Sequence, residues 1–190
     1  MTNWIIAGLG NPGSQYEQTR HNVGFWWLDQ LAKDLGLSFK TESRFHGQLV
    51  QYTTPEHKVW LIKPLTFMNR SGQSVAALAN FYKVLTENIL VIHDELDLPA
   101  GTVRLKSGGG HGGHNGLRDI VSQLGSKEFL RCRIGIDHPG NSKQVADYVL
   151  SKPSPADREN ILTSIDNSLR VLPEVLSGNL EKAMNWLHSQ

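Results

Sequence analysis

Cysteine is almost absent. Cys132 is the only one, so no internal disulfide can form and a reducing cytoplasm is the expected setting. Long apolar runs are missing too. None approaches the roughly 18 residues that a membrane-spanning helix needs, and Met1 to Leu9 does not read as a signal peptide. Charge of one sign is scarce: the net charge is +1, which by itself neither implies nor excludes a nucleic-acid partner. There is no HExxH, no GxSxG elbow and no cysteine pair beside the histidines, which argues against a zinc hydrolase and a serine nucleophile. Internal repeats, low-complexity tracts and interdomain linkers are also lacking. What is present is ordinary for a globular chain, at 39% hydrophobic and 19% charged residues. Its 190 residues can bury a core without disulfides or metal, and residues 1–190 are expected to form one domain.

Along the chain, Trp4 to Leu9 reads as a first, central strand. Phe25, Leu28, Leu31, Ala32 and Leu35 share a helical face, with Gly36 as the stop. Gly47 to Tyr52 and Val59 to Ile62 form a hairpin around Pro55. Lys63 to Gly72 is an irregular connection in which Ser71 is placed to cap a helix carrying Val75, Leu78, Ala79 and Tyr82. Strands at Ile89–Ile92 and Thr102–Leu105, a helix from about Leu117 to Leu124, and a strand at Arg131–Ile136 follow. Then come a helix over Gln144–Leu150, another started by Ser154-Pro155 and threatened near its end by Pro173, and a last amphipathic turn or two holding Leu180, Ala183, Met184 and Leu187. Strands alternating with helices predict an α/β fold, and the hairpin predicts a mixed sheet, twisted and surrounded by helices.

Gly8-Leu9-Gly10-Asn11-Pro12-Gly13 fits GxGxxG after a strand. The dinucleotide fingerprint also needs the helix to start at the third glycine; here the helical pattern waits until Val23, so no cofactor is expected. The glycines instead let the backbone turn sharply and bring Asn11 into a cleft at the strand's end. Gly108 to Gly113 repeats the pattern without a P-loop lysine, and its amides, with Arg104 and Lys106, could form an anion-binding concavity. His111 and His114 lie in this glycine loop, three apart and not on a helix, so no metal is expected. Cys132, between strand residues, is expected to be buried and inert.

Neutral and weakly basic groups remain at the strand ends: Asn11, Arg20-His21-Asn22, Asn69, His93-Asp94 and His114-Asn115. An aspartate after a buried strand can orient an imidazole and raise its basicity, leaving the far nitrogen to take a proton from water. Asparagine amides can hold that water or donate to an oxyanion. This combination suits metal-free hydrolysis of an activated ester. From Pro99 to Ile134 there are six basic residues against two acidic ones, a local cationic excess. An RNA-binding or ribosome-rescue module without chemistry would need no oriented base, and a nucleotide-dependent oxidoreductase is the third reading.

Three segments together, GLGNPGSQYEQTRHNVGF, KPLTFMNRSG and HDELDLPAGTVRLKSGGGHGGHNGL, with RIGIDHPG as a fourth, resemble bacterial peptidyl-tRNA hydrolases essentially end to end. The resemblance implies a monomeric α/β enzyme that cleaves the ester between a peptide and the 3′-terminal ribose of tRNA, without cofactor or metal, its partner being peptidyl-tRNA. It implies His21 as general base, Asp94 as its orienting partner, Asn11 and Asn69 as amides positioning water and substrate, and Asn115 as a holder of both. Tyr16, Phe67 and Met68, with Asn69, His114 and Asn115, are implied on the substrate side; Lys106 and Arg133 are implied as the clamp for the tRNA 5′-phosphate. Asparagines pair with the neutral amide of a peptidyl ester, whereas the ammonium of a free aminoacyl ester leaves donors mismatched, at a cost of about 1–3 kcal/mol. Asp137 departs from the family pattern and would put an acid near the clamp, and Arg70 stands at a position the family leaves variable.

Overall fold

A computed structural model describes all 190 residues and gathers seven strands into one sheet. The strands are β1 (Thr2–Gly8), β2 (Lys40–Glu42), β3 (Gly47–Thr53), β4 (His57–Pro64), β5 (Ile89–Glu95), β6 (Val103–Ser107) and β7 (Leu130–Gly135); the helices are α1 (Val23–Leu35), α2 (Ser71–Tyr82), α3 (Asn115–Leu124), α4 (Val145–Val149), α5 (Pro155–Arg170), α6 (Leu172–Leu176) and α7 (Leu180–Leu187). The order across the sheet is β2-β3-β4-β1-β5-β7-β6. Pairings β1–β4, β1–β5 and β5–β7 are parallel, while β2–β3, β3–β4 and β6–β7 are antiparallel. The sheet is therefore mixed, with β1 at its centre.

Side-chain alternation explains why the WIIAGL run is apolar throughout. Trp4 and Ile6 enter one core with residues of α1, α5, α6 and α7; Ile5 and Ala7 enter the other with residues of α2 and α3. A strand covered on both faces needs no polar alternation. The chain leaves β1 toward β4 on one side and resumes at β5 on the other, so the crevice beyond the carboxyl ends of β1 and β5 is where such a topology leaves room for a ligand.

Several local expectations need correction. Ser71 is the first residue of α2 and not its cap; its hydroxyl donates to the Met68 carbonyl at 2.7 Å. The first-turn amide of Gly72 is instead satisfied by Asp119 of α3 at 2.8 Å, which makes a side-chain cap unnecessary. The strand begun at Ile89 runs on to Glu95, and α3 starts at Asn115, two residues before the apolar pattern. Lys40–Glu42, too short and polar to show a strand pattern, pairs with β3 at the sheet edge. Over Gln144–Leu150 only Val145–Val149 is α-helical, preceded by a 3-10 turn. Pro173 does not truncate one long helix but sits in the first turn of α6, where its missing N–H costs nothing. Gly36 in the left-handed region ends α1, and Ser154 accepts the Asp157 amide at 3.1 Å ahead of Pro155, both as the sequence predicts.

One close approach sets the site. A Cβ on Gly24, in the first turn of α1, would stand 2.4 Å from the Leu9 nitrogen and 2.6 Å from the Ile92 carbonyl oxygen; one on Gly8 would stand 2.2 Å from the Gly24 oxygen. Only glycine lets the start of α1 touch the ends of β1 and β5, and the residues just before α1 are thereby lowered onto the end of β5.

Candidate active site

Asp94, near the end of β5, is 4% exposed. His21 reaches it from a 3-10 turn, Arg20–Asn22. That turn is anchored on both sides. Arg20 lies over the Tyr148 ring at 3.9 Å and donates to the Tyr148 and Ser151 carbonyls. Asn22 accepts the Asn11 amide at 2.8 Å and donates to the Asn11 carbonyl at 3.0 Å, fastening the turn to the loop after β1.

The Asp94 carboxylate has two imidazole partners. His21 Nδ1 lies 2.8 Å from Oδ2, and His114 Nε2 lies 2.8 Å from Oδ1. His114 is the N-cap of α3, its Nδ1 accepting the Leu117 amide at 3.2 Å. A ring nitrogen that accepts carries no proton, so the proton of His114 is on Nε2 and points at Asp94. His21 in turn donates from Nδ1, which leaves its Nε2 lone pair free of any protein partner, in a cleft of about 510 Å³ lined also by His111, Gly113, Asn115 and Val149. Burial alone would lower the His21 pKa, but the adjacent Asp94 charge and hydrogen bond outweigh it and raise the pKa. Burial opposes ionisation of Asp94, yet the two imidazoles hold its carboxyl well below the usual carboxylate range. His93, 2% exposed, donates from Nδ1 to the Asp94 carbonyl at 2.8 Å. Its burial, with the neighbouring His114, pushes its pKa down to about 3, so it stays neutral.

His21, Asp94 and His114 offer three donor atoms within 4.8 Å of one another. Two donors on one tetrahedral zinc would stand about 3.3 Å apart, given ion–nitrogen distances near 2.0–2.1 Å. Here each nitrogen is 2.8 Å from its carboxylate oxygen, the spacing of a charge-assisted hydrogen bond.

The other predicted residues fall into two groups. Asn11, Tyr16, Phe67, Met68 and Asn69 stand on the loop after β1 and on the 3-10 turn before α2. Asn11 accepts the Met68 amide at 2.7 Å through Oδ1, joining the two loops and leaving Nδ2 as its available donor. Tyr16 meets Phe67 edge-on at 6.4 Å; Phe67 is 51% exposed, at φ 60°, while Met68 is buried beneath Gly116. Asn69 is exposed, as is Asn115, whose Oδ1 accepts from Arg118 at 3.2 Å. The second group lies on the β6–β7 pair, where Arg104 faces Arg133 and Lys106 faces Arg131, one cationic face opposite the buried Val103, Leu105, Cys132 and Ile134. Lys106 is exposed and in no ion pair. Arg133 is not free: Glu95 accepts from its Nε at 2.9 Å. An acid the sequence reading did not assign to the clamp, Glu95, is therefore in direct contact with it, while Asp137 accepts the Ala100 amide at 3.4 Å.

The glycine loop also differs from expectation. The buried Arg131 donates to the Gly109 and Gly110 carbonyls, so these carbonyls are pinned to β7 by a cation that the sequence reading did not connect to the loop. Cys132 is buried, and its thiol is pushed up to about 12 by desolvation, inert as predicted. The partners of Arg20, Asn22, Glu95 and Arg131 were not foreseen from sequence, because each lies elsewhere along the chain; adjacency to His21 was the signal for Arg20 and Asn22.

The family model described as peptidyl-tRNA hydrolase matches residues 5–190. Peptidyl-tRNA hydrolase of Neisseria meningitidis serogroup A is 54% identical over 192 residues, covering all of both chains. That of Coxiella burnetii (strain RSA 493) is 56% identical over 185 residues, or 97% of each. The crystal structure of peptidyl-tRNA hydrolase from Acinetobacter baumannii superposes with a TM-score of 0.94 at 46% identity, covering 97% of this chain and 94% of that one. No helix is long and apolar enough to cross a membrane.

Proposed function

The chain belongs to the peptidyl-tRNA hydrolase family and hydrolyses the ester between the peptide and the 3′-terminal ribose of peptidyl-tRNA; we propose that His21 is its general base and Asp94 the group that orients it. The observation that carries this reading is the 2.8 Å His21–Asp94 contact, in which the carboxylate accepts from Nδ1–H, so that the ring proton stays on Nδ1 and Nε2 is bare above the cleft.

His21 Nε2 takes a proton from water as the water oxygen bonds to the ester carbonyl carbon. The carbonyl becomes an oxyanion, which amide donors such as Asn11 Nδ2 stabilise without adding charge. Collapse breaks the bond to the ribose oxygen, and the imidazolium returns the proton to that oxygen, releasing peptide acid and tRNA. Asp94, held ionised, stabilises the imidazolium between the two transfers. Asn69 and Asn115 hold the water and the peptide amide, with His114 beside them. Tyr16, Phe67 and Met68 border the peptide. Lys106 and the terminal nitrogens of Arg133 take the 5′-phosphate, which sets reach from the ester and makes binding depend on salt. The enzyme acts as a cytoplasmic monomer, residues 1–190 being one domain.

The test compares an N-acetyl-aminoacyl-tRNA with its unblocked counterpart, for the native enzyme and for His21→Ala. The native enzyme is expected to prefer the blocked ester. The variant should lose about 10²–10⁴-fold in turnover while tRNA binding survives. Near-native turnover by His21→Ala refutes the role of the base.

A further inference from the structure

Resting on the reading of His21 as the base, we propose that His114 is a positioning residue: it shares the Asp94 carboxylate with His21, ties that carboxylate to the start of α3, and so moderates the basicity of the catalytic imidazole. The geometry leaves His114 little choice. Its side chain is 11% exposed, its Nδ1 is committed to the Leu117 amide and its Nε2 to Asp94 Oδ1. The His93 ring packs edge-on against it, with centroids 5.1 Å apart at 67°. His93 is itself neutral and donates to the carbonyl of Asp94. The His21 ring lies 5.4 Å from the His114 ring on the other side.

A carboxylate with a single imidazole partner gives that partner its whole charge. A second N–H on the opposite oxygen neutralises part of that charge, so the imidazolium of His21 is stabilised less. This matters because a base protonated before water arrives cannot accept a proton. Other titratable groups face the same space. Glu95 and Asp97 follow Asp94 at the cleft wall, His111 comes from the glycine loop and His138 from the segment after β7; Arg131 of β7 acts on His93. Only His114 touches the carboxylate that touches the base. Asn115 opens α3 immediately after His114, so the same link fixes the catalytic carboxylate relative to that asparagine.

Two substitutions separate the two jobs. In His114→Asn the shorter amide matches Nδ1 and keeps the cap, asparagine being a favoured N-cap, but it cannot reach Asp94. In His114→Gln the amide nitrogen matches Nε2 and keeps the carboxylate bond. The readout is the titration of the His21 ring by NMR, which requires no turnover, beside the acid limb of kcat/KM. His114→Asn is expected to raise both midpoints by roughly half to one pH unit, a fraction of what a hydrogen bond to a charged group is worth; His114→Gln should bring them back toward the native value. An unmoved His21 midpoint in His114→Asn, or an equal rise in both variants, overturns the proposal. A tenfold rise in KM with no shift does so as well, making His114 a substrate contact. Failure of the base reading shows separately, as turnover retained by His21→Ala.

Discussion

Replacing Asp94 by asparagine tests the hydrogen-bond chain more sharply than deleting it. The native carboxylate accepts at both oxygens, from His21 and from His114, each at 2.8 Å. An asparagine of the same shape offers one acceptor and one donor. His114 cannot change its tautomer without setting the Leu117 N–H against a ring N–H, so it takes the amide oxygen. The amide nitrogen is then left facing His21 Nδ1, which must accept, and the His21 proton moves to Nε2. The base is lost although every heavy atom stays in place. The opposite amide orientation is higher by about 1–3 kcal/mol, the cost of an unmade buried hydrogen bond, so the productive form falls to roughly one molecule in ten to one in a hundred. Loss of the negative charge that stabilises the imidazolium adds about another 10²-fold. Asp94→Asn is thus expected to lower turnover by roughly 10³–10⁴-fold, the scale seen when a buried aspartate is removed from an imidazole in triad enzymes. Single-turnover release of the labelled acyl group from N-acetyl-aminoacyl-tRNA measures this. His114→Asn added to Asp94→Asn frees the amide to turn its oxygen to His21 and should recover about tenfold. A loss below tenfold for the single variant, or no recovery in the double, refutes the tautomer argument.

Lys106→Ala and Arg133→Ala are expected to raise KM and to reduce the salt slope of tRNA binding by about one each, and to be nearly silent on tRNA lacking its 5′-phosphate; a fall in kcat alone would contradict the clamp. Gly24→Ala sets a methyl 2.4 Å from the Leu9 nitrogen and should cost about 1–3 kcal/mol, or roughly 2–12 °C in Tm, with a loss of activity greater than the loss of folded protein. His93 has a pKa of about 3 when folded against 6.5 unfolded, so between these values the unfolded chain binds the extra proton. Its contribution to stability therefore rises with pH through that window and is lost as the pH falls, by up to about 1.4 kcal/mol per pH unit. His93→Asn should flatten the fall in Tm between pH 6.5 and 4; a parallel pH dependence in variant and native protein would show that His93 is not the group.

Elements set by neighbours in the chain were legible in the sequence. The central strand is visible because burial on both faces demands an unbroken apolar run, and the turns because Gly36 admits the left-handed region while Pro55 and Pro155 fix the backbone locally. The motifs named His21 and Asp94 because their chemistry is local to two short segments. Tertiary structure decided how these groups are wired. His21 and Asp94 meet across 73 residues, His114 joins them as the cap of a helix whose start the apolar pattern misplaced by two residues, and Glu95 occupies an arginine that sequence left free. No periodicity encodes such contacts, because a side chain's hydrogen-bond partner depends on which elements pack together and how closely. The same holds for Gly8 and Gly24: only packing shows that a missing Cβ on each lets α1 touch the sheet and bring His21 down onto Asp94.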